Sequence, residues 1–431
     1  MKILFVSTDL VAADLARIMK EEGHDVRLHI NDRDRTQCFD NIVEKTSSWK
    51  KDVKWVGKDG LIVFDNTGFG RIQDQLRKKG YSVVGGTELG EKLELVREFG
   101  QEVFKKYGLL TYPLKDFDDL DDAIMFAQEN PRSWVIKQNG HETKMINYVS
   151  ELPDGRDTIS LLKNYLQNKT LGRERITLHE RIQGIEIGIA RFFNGKEWVG
   201  PIEHNVEHPK FMPNDVGPMT SEMGTVAWYT EHETKLYTET LKKIEPFLRE
   251  SNFKGDAALN CIVNENGAYI LEATMRFGTP IAHLQAELQL SPWGEALSAV
   301  ARGESYNLEM KKGYGIVVLL AVPPFPYSRS IKNNPFFGVS AYFDQLSKEE
   351  MKHVHFDGIA KRTGTDNQYF IATNDGYIAY VTGHGETIAD AQKAAYNIIS
   401  KITIPKMMYR NDIGTKFALE QQPKLTAWGW I

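Results

Sequence analysis

Tyr269-Ile270-Leu271-Glu272-Ala273-Thr274-Met275-Arg276-Phe277-Gly278 is an apolar run that ends in a carboxylate, a hydroxyl and a guanidinium. Alternation along a strand sends Glu272, Thr274 and Arg276 to one face, and Gly278 interrupts the strand where a ligand can approach the backbone. One face then holds two oxygen ligands and a cation. Oxygen ligands suit Mg²⁺, which takes one or two carboxylates plus substrate phosphates, and a guanidinium clamps phosphate oxygens in a bidentate fork. A surface salt bridge at a strand end accounts for the same residues, so the rest of the chain has to decide.

At 431 residues the chain exceeds one ordinary core, and about 150 residues per domain suggests about three domains. A formal charge of -5 from 53 basic and 58 acidic side chains gives no global field for nucleic acid. Cys38 and Cys261, the two cysteines, are too few for a disulfide framework or thiolate metal site and point to a reducing compartment, the cytoplasm. No apolar run approaches the roughly 18 residues of a membrane span, and the first residues do not form an export signal.

Strand, helix and strand signals follow in order at Lys2 to Val6, Leu10 to Lys20 and Val26 to Ile30, then at Leu61 to Phe64 and Tyr81 to Gly86. The spacing predicts a doubly wound parallel sheet over 1–95, with Ser7, Thr8, Asp65, Asn66 and Thr67 beyond its strand ends, where ligands bind such sheets. Turn or cap duty explains each of them as well. An amphipathic helix is expected from Lys92 to Gly108 and another from Leu120 to Asn130, leading to the strand Trp134 to Lys137. Gln138-Asn139-Gly140-His141-Glu142-Thr143-Lys144 reads as the tip of a mobile flap, and the alternating segments from Ile176 to His204 read as an antiparallel meander. Helices are expected over Glu231 to Glu250, His283 to Gly303 and Thr387 to Ile402. His204-Asn205-Val206-Glu207-His208 reads as a loop, without the helical spacing of a zinc site. The tail Trp428-Gly429-Trp430-Ile431 reads as a docking or dimer contact.

Gly217-Pro218-Met219-Thr220-Ser221-Glu222-Met223-Gly224 resembles the Gly-Pro-x-Thr-x-x-Met-Gly signature of the phosphoribosylamine-glycine ligase family of ATP-grasp enzymes. Val135 to Lys137, Glu180 to Glu186, Glu272 to Pro280, Val381 to Gln392 and Tyr409 to Gly414 resemble further family segments in the same order. The resemblance implies an ATP-grasp fold over 96–310 with a mobile subdomain near 113–182. A doubly wound parallel N-terminal domain precedes it, and a small mixed C-terminal domain follows over 311–431. It also implies an ATP-dependent carboxylate-amine ligase that works through an acyl phosphate with Mg²⁺ or Mn²⁺, on small-molecule acid and amine substrates, as a monomer or homodimer.

The same resemblance assigns roles. Arg97, Lys137 and Lys144 would bind phosphates, because phosphoryl transfer is mostly positioning and charge stabilisation. Glu180 and Ile182 would read the adenine edge, and Glu186 the ribose hydroxyls. Glu272, Thr274 and Asn260 would hold the metal, although a cross-strand polar pair explains Asn260 equally well. Arg276, Lys137 and Asp215 would be catalytic.

Departures from the family pattern concern mainly the substrates. Threonine stands at 274 where the family has asparagine. Ser7 to Asp14 replaces a glycine-rich loop suited to a sugar phosphate, and Asp9 and Asp14 would repel one. Asp65 to Gly70 replaces Gly-Pro-Glu, and Thr279-Pro280-Ile281 replaces Asp-Pro-Glu. The flap lacks Ala-Gly-Lys-Gly. A ligase joining another acid and amine into a peptide-like product, or a non-catalytic ATP-binding homologue, stays open beside the family reaction.

Overall fold

The computed structural model describes residues 1–138, 148–168, 176–327, 334–365 and 368–431. The tip of the expected flap, with Lys144, lies outside the described residues. β1 (Lys2–Ser7), β2 (Asp25–Ile30), β3 (Glu44–Lys45), β4 (Leu61–Phe64) and β5 (Ser82–Val84) form a parallel sheet in the order β3-β2-β1-β4-β5. The central strands β1 and β4 are covered on both faces, hence their unbroken apolar runs. The helix expected from Leu10 starts instead at Asp14. Leu10 takes a left-handed φ of 69°, which spends Leu10 to Ala13 on a turn between β1 and the helix. The helix expected over 92–108 is two, Glu88–Leu95 and Arg97–Lys106. Val96 between them is extended (φ -109°, ψ 93°), and the break leaves Arg97 at a helix start.

β6 (Leu114–Phe117), β7 (Trp134–Gln138), β8 (Tyr148–Val149) and β9 (Ile176–Glu180) form a separate antiparallel sheet in the order β6-β9-β7-β8. Helices Leu120–Glu129 and Arg156–Gln167 complete this lobe around its own core of Phe117, Ile124, Trp134, Ile136, Leu162 and Leu178. The expected meander is therefore divided. β9 closes the small lobe, and the chain crosses at 181–184 into a second sheet.

That second sheet contains β10 (Ile185–Asn194) and β11 (Trp198–Glu207). A hairpin of β12 (Lys210–Met212) and β13 (Val216–Met219) follows, and the sheet resumes with β14 (Gly224–Thr230), β15 (Lys254–Asn264), β16 (Gly267–Thr274) and β17 (Tyr314–Ala321). After β18 (Ser340–Ala341) come β19 (Val354–Phe356), β20 (Ile359–Lys361), β21 (Tyr369–Ile371) and β22 (Tyr377–Gly385). The large sheet runs β16-β15-β10-β11-β14-β17-β22-β19, so C-terminal strands extend it.

The two long helices expected in the second half are also interrupted. Thr240 (φ -127°, ψ -93°) separates Lys235–Glu239 from the turns that follow, and Pro292 separates Ile281–Leu288 from Trp293–Arg302. The C-terminal tail docks within its own chain, where the buried Trp430 donates Nε1–H to the Asn264 carbonyl at 2.9 Å. No helix among the described residues is long and apolar enough to cross a membrane.

Candidate functional site

The small lobe faces the large sheet across a cleft with a cavity of about 90 Å³, lined by Arg97, Gln101, Lys137, Glu272 and Ala273 among others. Register explains why polar groups gather on its floor. Asn260 stands directly opposite Glu272, and Gly188 of β10 stands opposite Asn260 on the other side. Gly188 in turn pairs with Asn205 of β11, so residues two apart along these strands share one face. That face carries Glu186 of β10, Glu203, Asn205 and Glu207 of β11, Asp256 and Asn260 of β15, and Glu272 and Thr274 of β16. The opposite face carries Ile187, Ile189, Leu259 and Cys261, fully buried in the core. Asn260 does stand opposite Glu272, a register compatible with both of its expected roles, and its Nδ2 donates to Glu207 Oε1 at 3.1 Å.

Charge is unevenly compensated here. Loss of hydration, and then the like charge of Glu272, raise the Glu186 carboxyl above its ordinary value. Burial, followed by Glu186, pushes Glu207 up to about 8. Glu222, fully buried in the turn before β14, is raised well above the carboxylate range by burial and Glu207. Lys137, at the cleft edge of β7, is lowered by burial and by Arg97, against the pull of Glu272 and Glu186. Arg276 is fixed by Glu94, whose Oε1 accepts from its Nε at 3.0 Å, and Nη1 donates to the Phe277 carbonyl at 2.7 Å.

Such a donor set fits a magnesium nucleotide. Carboxylates raised by burial and then by one another are short of positive charge, which a divalent cation with oxygen ligands supplies. Lys137 and Arg97, without hydrogen bonds to carboxylates among the described residues, are placed to meet phosphate oxygens.

Arg97, Lys137, Glu186, Asn260 and Glu272 thus come together, with Thr274 on the same face and Arg276 electrostatically coupled through Glu207. Ile182 lies in the crossing between the sheets, half-buried. Glu180 points to Arg132 in an exposed ion pair at 3.0 Å. Asp215 is held by Arg410 at 3.1 Å and Lys416 at 2.7 Å, and it pins the β12–β13 hairpin to the C-terminal segment.

Glu207, Glu222 and Glu94 join the site without having been singled out from sequence. Residues 204–207 are not the loop expected from Pro209 but the end of β11. A period-two reading of Glu203, Asn205 and Glu207 would have found the carboxylate. The histidines flanking it are structural. His204 stacks on Trp228 with centroids 5.2 Å apart and bonds Thr234 at 2.9 Å. His208 accepts from the Gly414 N–H at 3.1 Å and is lowered by burial to about 4.

Farther along the same face Gln285 Nε2 bridges two buried carboxylates, at 2.9 Å from Glu203 and 2.8 Å from Asp256. Burial and the neighbouring Glu203 raise Asp256, so the folded protein holds a proton there that the unfolded chain releases. A raised carboxyl contributes stability at low pH and loses it as pH climbs from the ordinary carboxylate range through the folded value. The melting temperature of the wild type is expected to fall between pH 5 and pH 9 more steeply than that of Asp256→Asn. Equal slopes would show that the pair carries no shared proton.

Comparison with known proteins places this geometry. The family model described as phosphoribosylglycinamide synthetase, ATP-grasp (A) domain, matches residues 96–282, and the C-domain model of the same family matches residues 316–416. The phosphoribosylamine–glycine ligase of Clostridium acetobutylicum is 22% identical over 87% of this chain and 87% of its own length. That of Lactococcus lactis is 23% identical over 80% and 81%. Among solved structures, phosphoribosylamine–glycine ligase from Thermotoga maritima superposes with a TM-score of 0.71 at 20% identity, covering 96% of this chain and all of the other. Biotin carboxylase from Campylobacter jejuni, in a β,γ-ATP complex, gives a TM-score of 0.66 at 13% identity over 94% and 92%. With both family models on one chain in the expected order, the chain belongs to the phosphoribosylglycinamide synthetase family of ATP-grasp ligases.

Proposed function

We propose that this protein is an ATP-dependent carbon–nitrogen ligase that couples a small carboxylic acid to an amine, a relative of phosphoribosylamine–glycine ligase with altered substrates. The observation that carries the reading is the convergence of Lys137, Arg97, Glu186 and Glu272 on one cleft between two antiparallel sheets. When bound, Mg-ATP supplies the phosphoryl group that turns the acid's carboxylate into an acyl phosphate, which the amine displaces to give an amide, ADP and phosphate. Lys137 and Arg97 hold the phosphate charge, and Glu272 with Asn260 and Thr274 holds the metal. Glu186 takes the ribose hydroxyls, and the backbone of Ile182, without a hydrogen bond among the described residues, meets the base. Arg276, kept rigid by Glu94, presents its remaining N–H groups to the transferring oxygens. Asp215 acts through the hairpin that it anchors. The partners are small molecules and the setting is the cytoplasm, in keeping with two buried free cysteines.

ADP release with Mg-ATP, assayed over a panel of small acids and amines that includes glycine with phosphoribosylamine, tests the reading. Turnover dependent on both an acid and an amine is expected. Silence across the panel, with Mg-ATP still bound, would favour a non-catalytic homologue. Thr274→Asn, which restores the family residue opposite Ala258, is expected to leave Mg²⁺ affinity equal or tighter. A marked loss would mean that the site has been rebuilt around the hydroxyl.

A further inference from the structure

We propose that the amine accepted by this enzyme carries no phosphate, because the turn between β1 and helix Asp14–Glu21, where an anionic group would dock, is already filled by the carboxylate of Asp65. The proposal rests on the ligase reading above. A turn at the carboxyl end of a parallel strand, leading into a helix, is the usual ligand position in such sheets, and its N–H groups favour anions. In this protein the Thr8, Leu10 and Ala12 N–H groups are satisfied internally. Ser7 Oγ donates to Asp65 Oδ2 at 2.7 Å, the Ala12 N–H at 3.0 Å, and the Thr8 N–H also reaches the carboxylate. Leu10, in its left-handed conformation, donates its N–H to Ser7 Oγ at 2.9 Å and closes the turn. Asp65 is fully buried, and its second oxygen, Oδ1, has no partner among the described residues; nor does the Thr8 hydroxyl.

The surrounding charge has the same sign. Asp9 stands beside Asp65 and, after burial, contributes to pushing it up to about 7. Neither Asp9 nor Asp65 forms an ion pair among the described residues. Arg35, which donates from Nη1 to the Asp9 carbonyl at 2.8 Å, is paired with Asp357 and Asp375, and Arg17 on the following helix is paired with Asp14 and Glu21. Asp14, expected from sequence to face this turn, is instead buried against Arg17 and His355. A phosphate dianion brought here would have to displace Asp65 and face Asp9, whereas a protonated amine meets the two carboxylates. The turn also borders the catalytic strand, since Thr279 Oγ1 donates to the Val11 carbonyl at 3.4 Å, three residues beyond Arg276. A group held at this turn therefore lies next to the segment that follows β16 and carries Arg276.

Calorimetric titration of the full-length protein tests this. Mg-ATP is expected to bind, and ribose 5-phosphate, the phosphate-bearing probe, to show no binding up to about 10 mM. Asp65→Ala, which empties the cradle, is expected to gain ribose 5-phosphate affinity by roughly tenfold or more. Asp9→Asn leaves the buried network in place and is expected to shift affinity in the same direction by a smaller factor, which keeps the test valid if Asp65→Ala fails to fold. Submillimolar binding of ribose 5-phosphate to the wild type, or ADP release with phosphoribosylamine and glycine, would overturn the proposal. Failure to bind Mg-ATP would overturn the ligase reading instead.

Discussion

Glu272→Ala and Lys137→Ala are each expected to reduce ADP formation by roughly 10²- to 10³-fold, the size associated with losing one preorganised electrostatic contact to a transferring group. Both should leave the fold intact. Glu272 is exposed in the cleft and forms no hydrogen bond among the described residues, so its removal orphans nothing. Lys137 likewise has electrostatic neighbours but no hydrogen-bonded partner there. The two variants should nevertheless fail differently. Without Glu272 the crowding on Glu186 and Glu207 is relieved, because Glu272 raises both. Mg²⁺ dependence should then weaken while nucleotide affinity persists. Without Lys137 the carboxylates lose a counter-charge, and ATP affinity itself should drop. Near-normal turnover in both variants would falsify the site assignment, and unchanged Mg²⁺ dependence in Glu272→Ala would remove that residue from the metal set.

What could be read from the chain depended on whether local pattern or long-range register decided the question. The parallel N-terminal sheet was legible because its central strands are covered on both faces and show as plain apolar runs. Strand β16 was legible for a related reason: its alternation is local, and it correctly put Glu272 and Thr274 on one face. Helix continuity was less legible. Val96, Thr240 and Pro292 interrupt segments whose periodicity runs on across them, and only Pro292 advertises the break. The site was half visible. Whether Asn260 faces Glu272 depends on a register that includes a bulge between Asn260 and Cys261, which no local pattern encodes. Glu207 was overlooked because the His204–His208 cluster invited a metal question and Pro209 suggested a loop. Glu222 was passed over as a variable position of a signature, although its burial makes it part of the same electrostatic group. Asp14 and Asp65 were both read as residues beside a ligand turn. Which of them turns inward to a helix partner and which fills the turn is a tertiary choice, made by Arg17 and His355 for the first and by Ser7 and Ala12 for the second.

Arg35→Met is expected to destabilise the protein by about 3–5 kcal/mol, the cost of stripping a buried ion pair of its cation. Arg35 ends a short turn after β2 and inserts its guanidinium, 7% exposed, between Asp357 and Asp375 of the C-terminal segment. Nε donates to Asp375 Oδ2 at 2.7 Å, and Nη1 reaches Asp357 Oδ1 at 3.0 Å and the Asp9 carbonyl at 2.8 Å. Methionine fills the space of the side-chain stem but leaves two buried carboxylates facing each other. Even with Arg35 present, burial holds Asp357 up at about 7, and its removal raises that value further. A raised carboxyl is protonated without penalty at low pH and costs stability as pH rises toward its folded value, so the deficit should be smaller near pH 5 than near pH 8. Adding Asp375→Asn removes one of the two charges and is expected to recover a large part of the loss, as coupled neighbours should. Denaturant unfolding of the two variants at both pH values measures this directly, and a deficit that is equal at pH 5 and pH 8 would show that packing, not charge, carries the contact. Arg35 also ties the Asp9 carbonyl to the C-terminal segment, so the turn proposed above to take the amine depends on it. In Arg35→Met enzyme that remains folded at pH 6, the KM for the amine should rise while that for ATP stays near the wild-type value, because Lys137, Arg97 and Glu272 are held by other elements.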